Sequence, residues 1–556
     1  MKSKLAIAVL LICVIGLSAK LFFLNQSYQS LLTSLIDEEA DFNAVYLNDQ
    51  LIGSDYLTDY EGQHYIALDL LTQYIDETVT LSNSGQRIYA DLSEIAFDVG
   101  DEAIQAYLEA NMSAVNVPLI YSEDRAYLSL DTVCRLYAYR YVYFDETGAL
   151  LLYDDRTSVS TGTLQQGATK YKALPNGFAK YSETGVSEKI YMLSSADDYA
   201  SALDAAGHFI YLKENVQTTP LPFEPQVVYD PVKLSTNEPI SLTWEAIEQF
   251  GNNFSKLETP FEEGVNVVSP TWFNLNVNGI LINSAELSYV RTAHEKGVKV
   301  WGLVKNNFDP DWTHDLLTNE IDQRYAVAQL LFYSAFYELD GINFDFENMY
   351  LKDQSAFSDF IAHASEMLQA ADLTVSIDVT RPGGSDQWSK VYDRTRLGQA
   401  VDYVCLMAYD EFWGSSPQSG PVASLPWTEE SIQMTLEEVP ASKILLGVPL
   451  YMRVWEETKN SRGTYVKTGS KAITMNGLAQ IKADKALEIQ WDPDSEQYYG
   501  EYYENDKKYR IWIEDETSLQ SRLNLAENYE LPGIATWRRG YSSDPIDLFL
   551  EKWLKE

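Results

Sequence analysis

Residues 339–350 read LDGINFDFENMY. In an extended chain successive side chains point to opposite faces. Ile342, Phe344 and Phe346 then share one face, and Asn343, Asp345 and Glu347 share the other. The first face is apolar enough to lie under a layer of helices. The second stacks an amide and two carboxylates, with Glu347 near the C-terminal end of the strand. Buried acids are costly unless paired or hydrogen-bonded, so two in succession on one strand point to chemistry at its end.

Working outward, strand-like and helix-like stretches alternate from Val227 to the C-terminus, the pattern of a parallel α/β barrel. The strand candidates are Ile240–Ala246, Asn266–Phe273, Val298–Val304, Leu339–Glu347, Leu373–Thr380, Tyr403–Asp410, Ile444–Tyr451 and Gly533–Trp537. That set is what a (β/α)8 TIM barrel needs. Between the fourth and fifth, Phe357, Phe360, Ile361, Ala364, Met367 and Leu368 recur at helical spacing, giving one apolar stripe. The long interval between strands seven and eight holds an α+β insertion, with a hairpin near Leu487–Trp491 and Tyr509–Ile513. It is expected to wall one side of a cleft.

The 339–350 stretch resembles the active-site strand of glycoside hydrolase family 18, the chitinase-like hydrolases, whose pattern is D-G-x-D-x-D-x-E on barrel strand four. Here it reads Asp340-Gly341-Ile342-Asn343-Phe344-Asp345-Phe346-Glu347, with Asn343 where most members carry an Asp. The branch that cuts bacterial cell wall and spore cortex often has this form. Met407-Ala408-Tyr409-Asp410 is similar to the family's M-x-Y-D phrase, and Ala535-Thr536-Trp537 to its sugar-platform Trp. Gly447–Arg453 and Ile511–Ser518 are family-like as well, so the resemblance covers roughly residues 227–556.

The resemblance implies a retaining mechanism in which the substrate's own N-acetyl group attacks, one of the exceptions to the two-carboxylate scheme. Glu347 would protonate the leaving oxygen and later activate water. Asp345 would hold the acetamide N–H, and Tyr409 would aim its oxygen. Trp537 would floor the sugar, with Met407 and Asp410 lining the same subsite. Asn343 is expected to donate to Asp345 and to leave it ionised over a wide pH range. Asp378, on the polar face of strand five, either reaches the cleft or is a hydrogen-bonded structural acid. Of Trp272, Phe273 and Trp301, at the ends of strands two and three, Trp272 is the candidate for sugar stacking. Arg381 and Arg453 are candidates for meeting a substrate carboxylate, such as the lactyl group of a muramic acid.

Composition sets the outer bounds. The chain of 556 residues has room for several domains. Its 82 acidic and 41 basic residues leave a formal charge of -41, so nucleic acid, which needs a basic footprint, is excluded as a partner. Cys13, Cys134 and Cys405 make no disulfide framework, and five His without paired spacing suggest neither a metal site nor a cofactor.

Residues 1–24 begin with Lys2 and Lys4 and continue through an uncharged apolar run from Leu5 to Ala19. This is a signal anchor or a cleavable signal peptide. Leu17 occupies a position that a cleavage site wants small, which favours an anchor. The following chain is placed on the outer face of a bacterial membrane or in the wall. Residues 44–155 resemble the small module at the N-terminus of copper amine oxidases. Its phrase Tyr65-Ile-Ala-Leu-Asp-Leu-Leu has a half-copy around Ala126-Tyr-Leu-Ser-Leu-Asp-Thr-Val. Residues 160–220 read as a small β module resembling a bacterial SH3-like domain, and the proline-rich Pro220-Leu-Pro-Phe-Glu-Pro as a stiff linker. The whole is expected to hydrolyse β-1,4 bonds beside N-acetylglucosamine in peptidoglycan. Chitin hydrolysis, or non-catalytic binding as a lectin, is the alternative.

Overall fold

The computed structural model describes residues 42–555 except 158, 175–176, 196–198, 214–215, 224–228, 235–237, 258–260 and 262. The expected anchor at 1–24 lies outside the described residues. Among those described, no helix is long and apolar enough to cross a membrane. Among the described residues two compact units emerge, one within 42–77 and 121–226, the other within 78–120 and 227–555.

The second unit contains the barrel. Its strands are β1 Ile240–Glu245, β2 Val267–Pro270, β3 Lys299–Lys305, β4 Gly341–Asp345, β5 Thr374–Thr380, β6 Tyr403–Met407, β7 Ile444–Pro449 and β8 Gly533–Trp537. All neighbours pair in parallel, and closure runs through β8–β1, β1–β2 and β2–β3. The order agrees with the sequence reading, and every expected strand is present. Short antiparallel strands Phe273–Leu275 and Leu281–Asn283 extend the barrel wall after β2.

The barrel is filled in layers, as this fold requires. Leu242, Trp244, Val267, Trp301, Leu303, Cys405, Leu445 and Ala535 form its apolar interior. Each large side chain so buried is worth about 2–3 kcal/mol. Gly341 opens β4 where a Cβ would collide with the Thr374 carbonyl and the Trp301 ring, so the close approach of β4, β5 and that indole requires glycine. Outside, the helix Gln354–Ala370 buries Phe357, Phe360, Ile361, Ala364 and Leu368, the stripe expected.

Between β7 and β8 the chain builds a five-stranded antiparallel sheet and the helix Met475–Asp484. The α+β insertion is therefore larger than the single hairpin suggested by the sequence.

Residues 78–120 also cluster with the barrel, so the 44–155 stretch is divided between two units. The physical reason is a shared core and a polar clasp. Phe97 packs on Phe332 and Phe336 of the helix Glu320–Phe336 at ring distances of 5.5 and 5.2 Å. The buried Asn116 side chain donates to the Leu281 carbonyl at 2.8 Å, and its own N–H donates to the Tyr333 hydroxyl at 3.0 Å.

In the other unit, the two phrases singled out in the sequence each form a strand followed by a short helix. Gln63–Ala67 leads into the helix Leu68–Tyr74, and Arg125–Ser129 into the helix Leu130–Leu136. The two strands pair with each other, Ile66 opposite Leu128. Residues 160–220 form a seven-stranded antiparallel sheet over a core of Leu164, Ile190, Met192, Ala202, Ile210 and Leu212.

Candidate active site

The C-terminal end of β4 delivers Asp345, and the turn after it delivers Glu347. That turn is held from β3's following residue, Asn306, in both directions. Asn306 Nδ2 donates to the Glu347 carbonyl at 2.7 Å, and the Glu347 N–H donates to Asn306 Oδ1 at 3.1 Å. Tyr392 O–H donates to the Phe346 carbonyl at 2.8 Å. The backbone under Glu347 is thus fixed on both sides, and the residue is half-buried.

Burial first, then the charges of Asp345, Asp378 and Asp410, pushes the Glu347 carboxyl well above the usual carboxylate range. That is the direction a general acid requires. Burial also raises Asp345, to about 6, with the Lys305 ammonium acting in the opposite sense. Oδ1 of Asp345 is buried and accepts no hydrogen bond. The upward direction runs against the expectation that Asp345 stays ionised over a wide range, because burial outweighs the Lys305 charge.

Asn343 does not serve Asp345. Its carbonyl oxygen accepts from Trp244 Nε1 at 3.0 Å and Ser269 Oγ at 3.1 Å, and its amide donates to Asp378 Oδ1 at 2.8 Å. Asn343 is fully buried, so it lies beneath the cleft and is no substrate contact. Asp378 is 2% exposed and belongs to the same buried layer, not to the cleft surface.

Around the opening, Tyr409 and Trp537 are half-buried against the barrel core, their rings 6.3 and 5.9 Å from Trp244. Met407 ends β6 half-buried. Asp410 follows with a positive φ of 61°, held by the Tyr451 hydroxyl at 2.6 Å. Arg453 Nη2 lies 3.6 Å from Asp410 Oδ1, so that guanidinium already has a carboxylate partner. Arg381 is engaged as well, with Glu430 at 3.0 Å and stacked over Trp427.

The expectation for Trp272 fails. Its ring is fully buried and its Nε1 donates to Asn253 Oδ1 at 2.8 Å. Strand β2 ends at Pro270, and the ring turns into packing against Tyr289. Phe273 and Trp301 are buried too.

Sequence reasoning missed Lys305. It closed β3 at Val304, whereas the strand runs through Lys305 and sets that residue opposite Asp345. Burial pulls the ammonium down, and the Asp345 and Glu248 charges only partly offset this. A lysine one residue past an apolar strand was the available signal. Asn306, Trp244 and Ser269 carried no such signal, because their partners lie on other strands.

Comparisons with known proteins bear on this geometry. The family model described as glycosyl hydrolases family 18 matches residues 282–542. The uncharacterized glycosylase YvbX of Bacillus subtilis is 26% identical over 311 residues, covering 53% of this chain and 87% of that protein. The cortical fragment-lytic enzyme of Bacillus subtilis is 26% identical over 262 residues, and the match spans 46% of this chain but only 58% of that enzyme. A chitinase structure from Chromobacterium violaceum superposes with a TM-score of 0.51 at 23% identity, covering 57% of this chain and 99% of the other, and so shows the shared fold.

Proposed function

The barrel of this chain belongs to glycosyl hydrolases family 18, and from that premise we propose that this glycoside hydrolase cuts β-1,4 bonds next to N-acetylglucosamine in peptidoglycan by a retaining, substrate-assisted route. The observation that carries the reading is the pairing of Glu347 and Asp345. Burial raises both carboxyls, Glu347 well above the carboxylate range and Asp345, with Lys305 opposing, to about 6, and environments that push two acids apart point to their roles.

Glu347 is then the group that protonates the leaving oxygen and, once ionised, takes a proton from water. Asp345 holds the acetamide N–H and steadies the positive charge that develops beside it. Tyr409, whose hydroxyl is kept protonated by burial and by the Asp378 charge, donates to the acetamide oxygen. Trp537 is the floor under the sugar, and Met407 and Asp410 close the sides. Similarity to the cortical fragment-lytic enzyme and the amide at Asn343 support peptidoglycan over chitin. The basic start and apolar run of residues 1–24 support attachment at the outer face of the membrane.

The test is reducing-end release from purified peptidoglycan and from chitin oligomers by the full chain and its Glu347→Gln variant. The expected result is release from peptidoglycan that drops about 10³-fold in the variant. Release from chitin alone reassigns the substrate. Activity undiminished in the variant removes Glu347 as the acid, and sugar binding without release from either polymer replaces hydrolysis by binding.

A further inference from the structure

Asp378 is a buried acid that the catalytic scheme leaves unused. It sits on β5 at the rung beside Asp345. Phe344 pairs with Ile377, so Asp345 and Asp378 follow next on adjacent strands, about 4.8 Å apart in the pairing direction. Both belong to the inward-facing set of their strands, as the diagonal contact from Asn343 to Asp378 shows.

Three observations fix its state. First, the amide of Asn343 is oriented by its own neighbours. With its oxygen committed to Trp244 and Ser269, its nitrogen must face Asp378 Oδ1. Second, Asp378 is 2% exposed and has no Lys, Arg or His partner among the described residues. A carboxyl buried without a cation takes up a proton. Third, Oδ1 of Asp345 is buried with no donor. An acid with a proton to give therefore stands beside an acid that lacks a donor.

We propose that Asp378 is a positioning residue that keeps a proton and gives it as a hydrogen bond to Asp345, so that Asp345 is oriented from strand β5 and not by Asn343 on its own strand.

In this arrangement the Asn343 amide holds one Asp378 oxygen, and the other oxygen carries the O–H. The inner edge of Asp345 receives that O–H and its outer edge is left for substrate. No bond to carbon is made or broken, and the proton is shared, not consumed. Asp378 also accepts from Cys405 and Trp244, which lower it without outweighing its burial. Lys305 on β3 approaches Asp345 from the opposite side, while Glu347, Tyr392, Cys405 and Tyr409 bring no positive charge to Asp378. Burial, followed by the charge of Asp345, drives Asp378 well above the carboxylate range, in keeping with two carboxyl groups that share one proton.

The proposal rests on the hydrolase reading only for its kinetic readout. Its first test needs no activity. In the folded full chain, NMR of isotope-labelled aspartate should find a buried aspartic acid still protonated at neutral pH, whose signal is missing from Asp378→Asn. The second compares Asp378→Asn, Asn343→Asp and the double variant on whichever polymer the wild type cleaves. Asp378→Asn should lower kcat about tenfold and remove one ionisation from the pH profile of kcat/KM. The double variant, which returns a carboxyl to β4, should recover most of that loss. An aspartate signal at 378 that is ionised at neutral pH overturns the proposal whatever the kinetics. So does an Asp378→Asn enzyme with the wild-type pH profile, or a loss that is uniform in pH and not recovered by the double variant. A wild type inactive on both polymers would count against the hydrolase reading and leave the spectroscopic test standing.

Discussion

Strand β4 and its flanks carry acids at both ends of the barrel, and the two ends treat them in opposite ways. At the bottom, Asp340 is 1% exposed, yet it accepts from the Val300 N–H at 2.8 Å, the Tyr229 hydroxyl at 2.7 Å and His294 Nε2 at 2.8 Å. Burial works to raise its pKa, but these partners, His294 foremost, overcome it and hold the carboxyl below its ordinary value. At the top, Asp345 is buried at Oδ1 without a donor and rises to about 6, and Glu347 goes well above its usual range. Burial is common to both ends. What differs is whether the partners outweigh burial: at the bottom they do, and at the top they do not.

The comparison can be broken most directly at the bottom. Asp340→Ala strands three donors in a buried site and should cost about 3 kcal/mol, read from denaturant unfolding of the full chain. Because the folded pKa of Asp340 is depressed, its contribution is present at neutral pH and fades as pH falls through that low value. A change within about 0.5 kcal/mol would show that the partners at this end are not what sets it apart.

A smaller effect is expected from Lys305→Met at the top. Lys305 is the cation that holds Asp345 down. Without it, Asp345 needs a higher pH to ionise, so the acid limb of kcat/KM moves upward from about pH 6 and activity at that pH falls about tenfold. A limb that stays in place would mean that Lys305 does not act on Asp345.

Asp345→Asn should produce the smallest shift, and of the opposite sign to Asp340→Ala. A carboxyl whose folded pKa is raised weighs against folding above that pKa, and this cost disappears as pH falls toward the ordinary carboxylate range. The variant should melt about 2–4 °C higher than wild type near pH 8 and alike near pH 4. Equal melting at both pH values would show that the top of β4 carries no stored cost.

Much of this was legible in advance. The alternation in residues 339–350 placed Asp345 and Glu347 on one face, because a two-residue period is a property of the strand alone. The eight barrel strands could be read in the same way, and each was found. Trp272 misled because its place near a strand end does not say which way a ring turns, and here it faces Asn253 and the core. Asn343 misled because the amide's partners, Trp244, Ser269 and Asp378, come from strands β1, β2 and β5, far apart in sequence. The 44–155 stretch read as one module, yet its middle clusters with the barrel, since an apolar face does not name the surface that will cover it.

Periodicity and motif order in the chain by themselves determined the fold class and that Asp345 and Glu347 share the polar face at the end of strand four, because those rest on local alternation and on residues close in sequence. Only the tertiary structure decided how each buried acid is partnered, which arginines are already engaged, and that Lys305 and Asp378 flank Asp345. The physical reason is that a pKa is set by every strand that converges on a group, and in a closed barrel those strands come from the whole length of the domain.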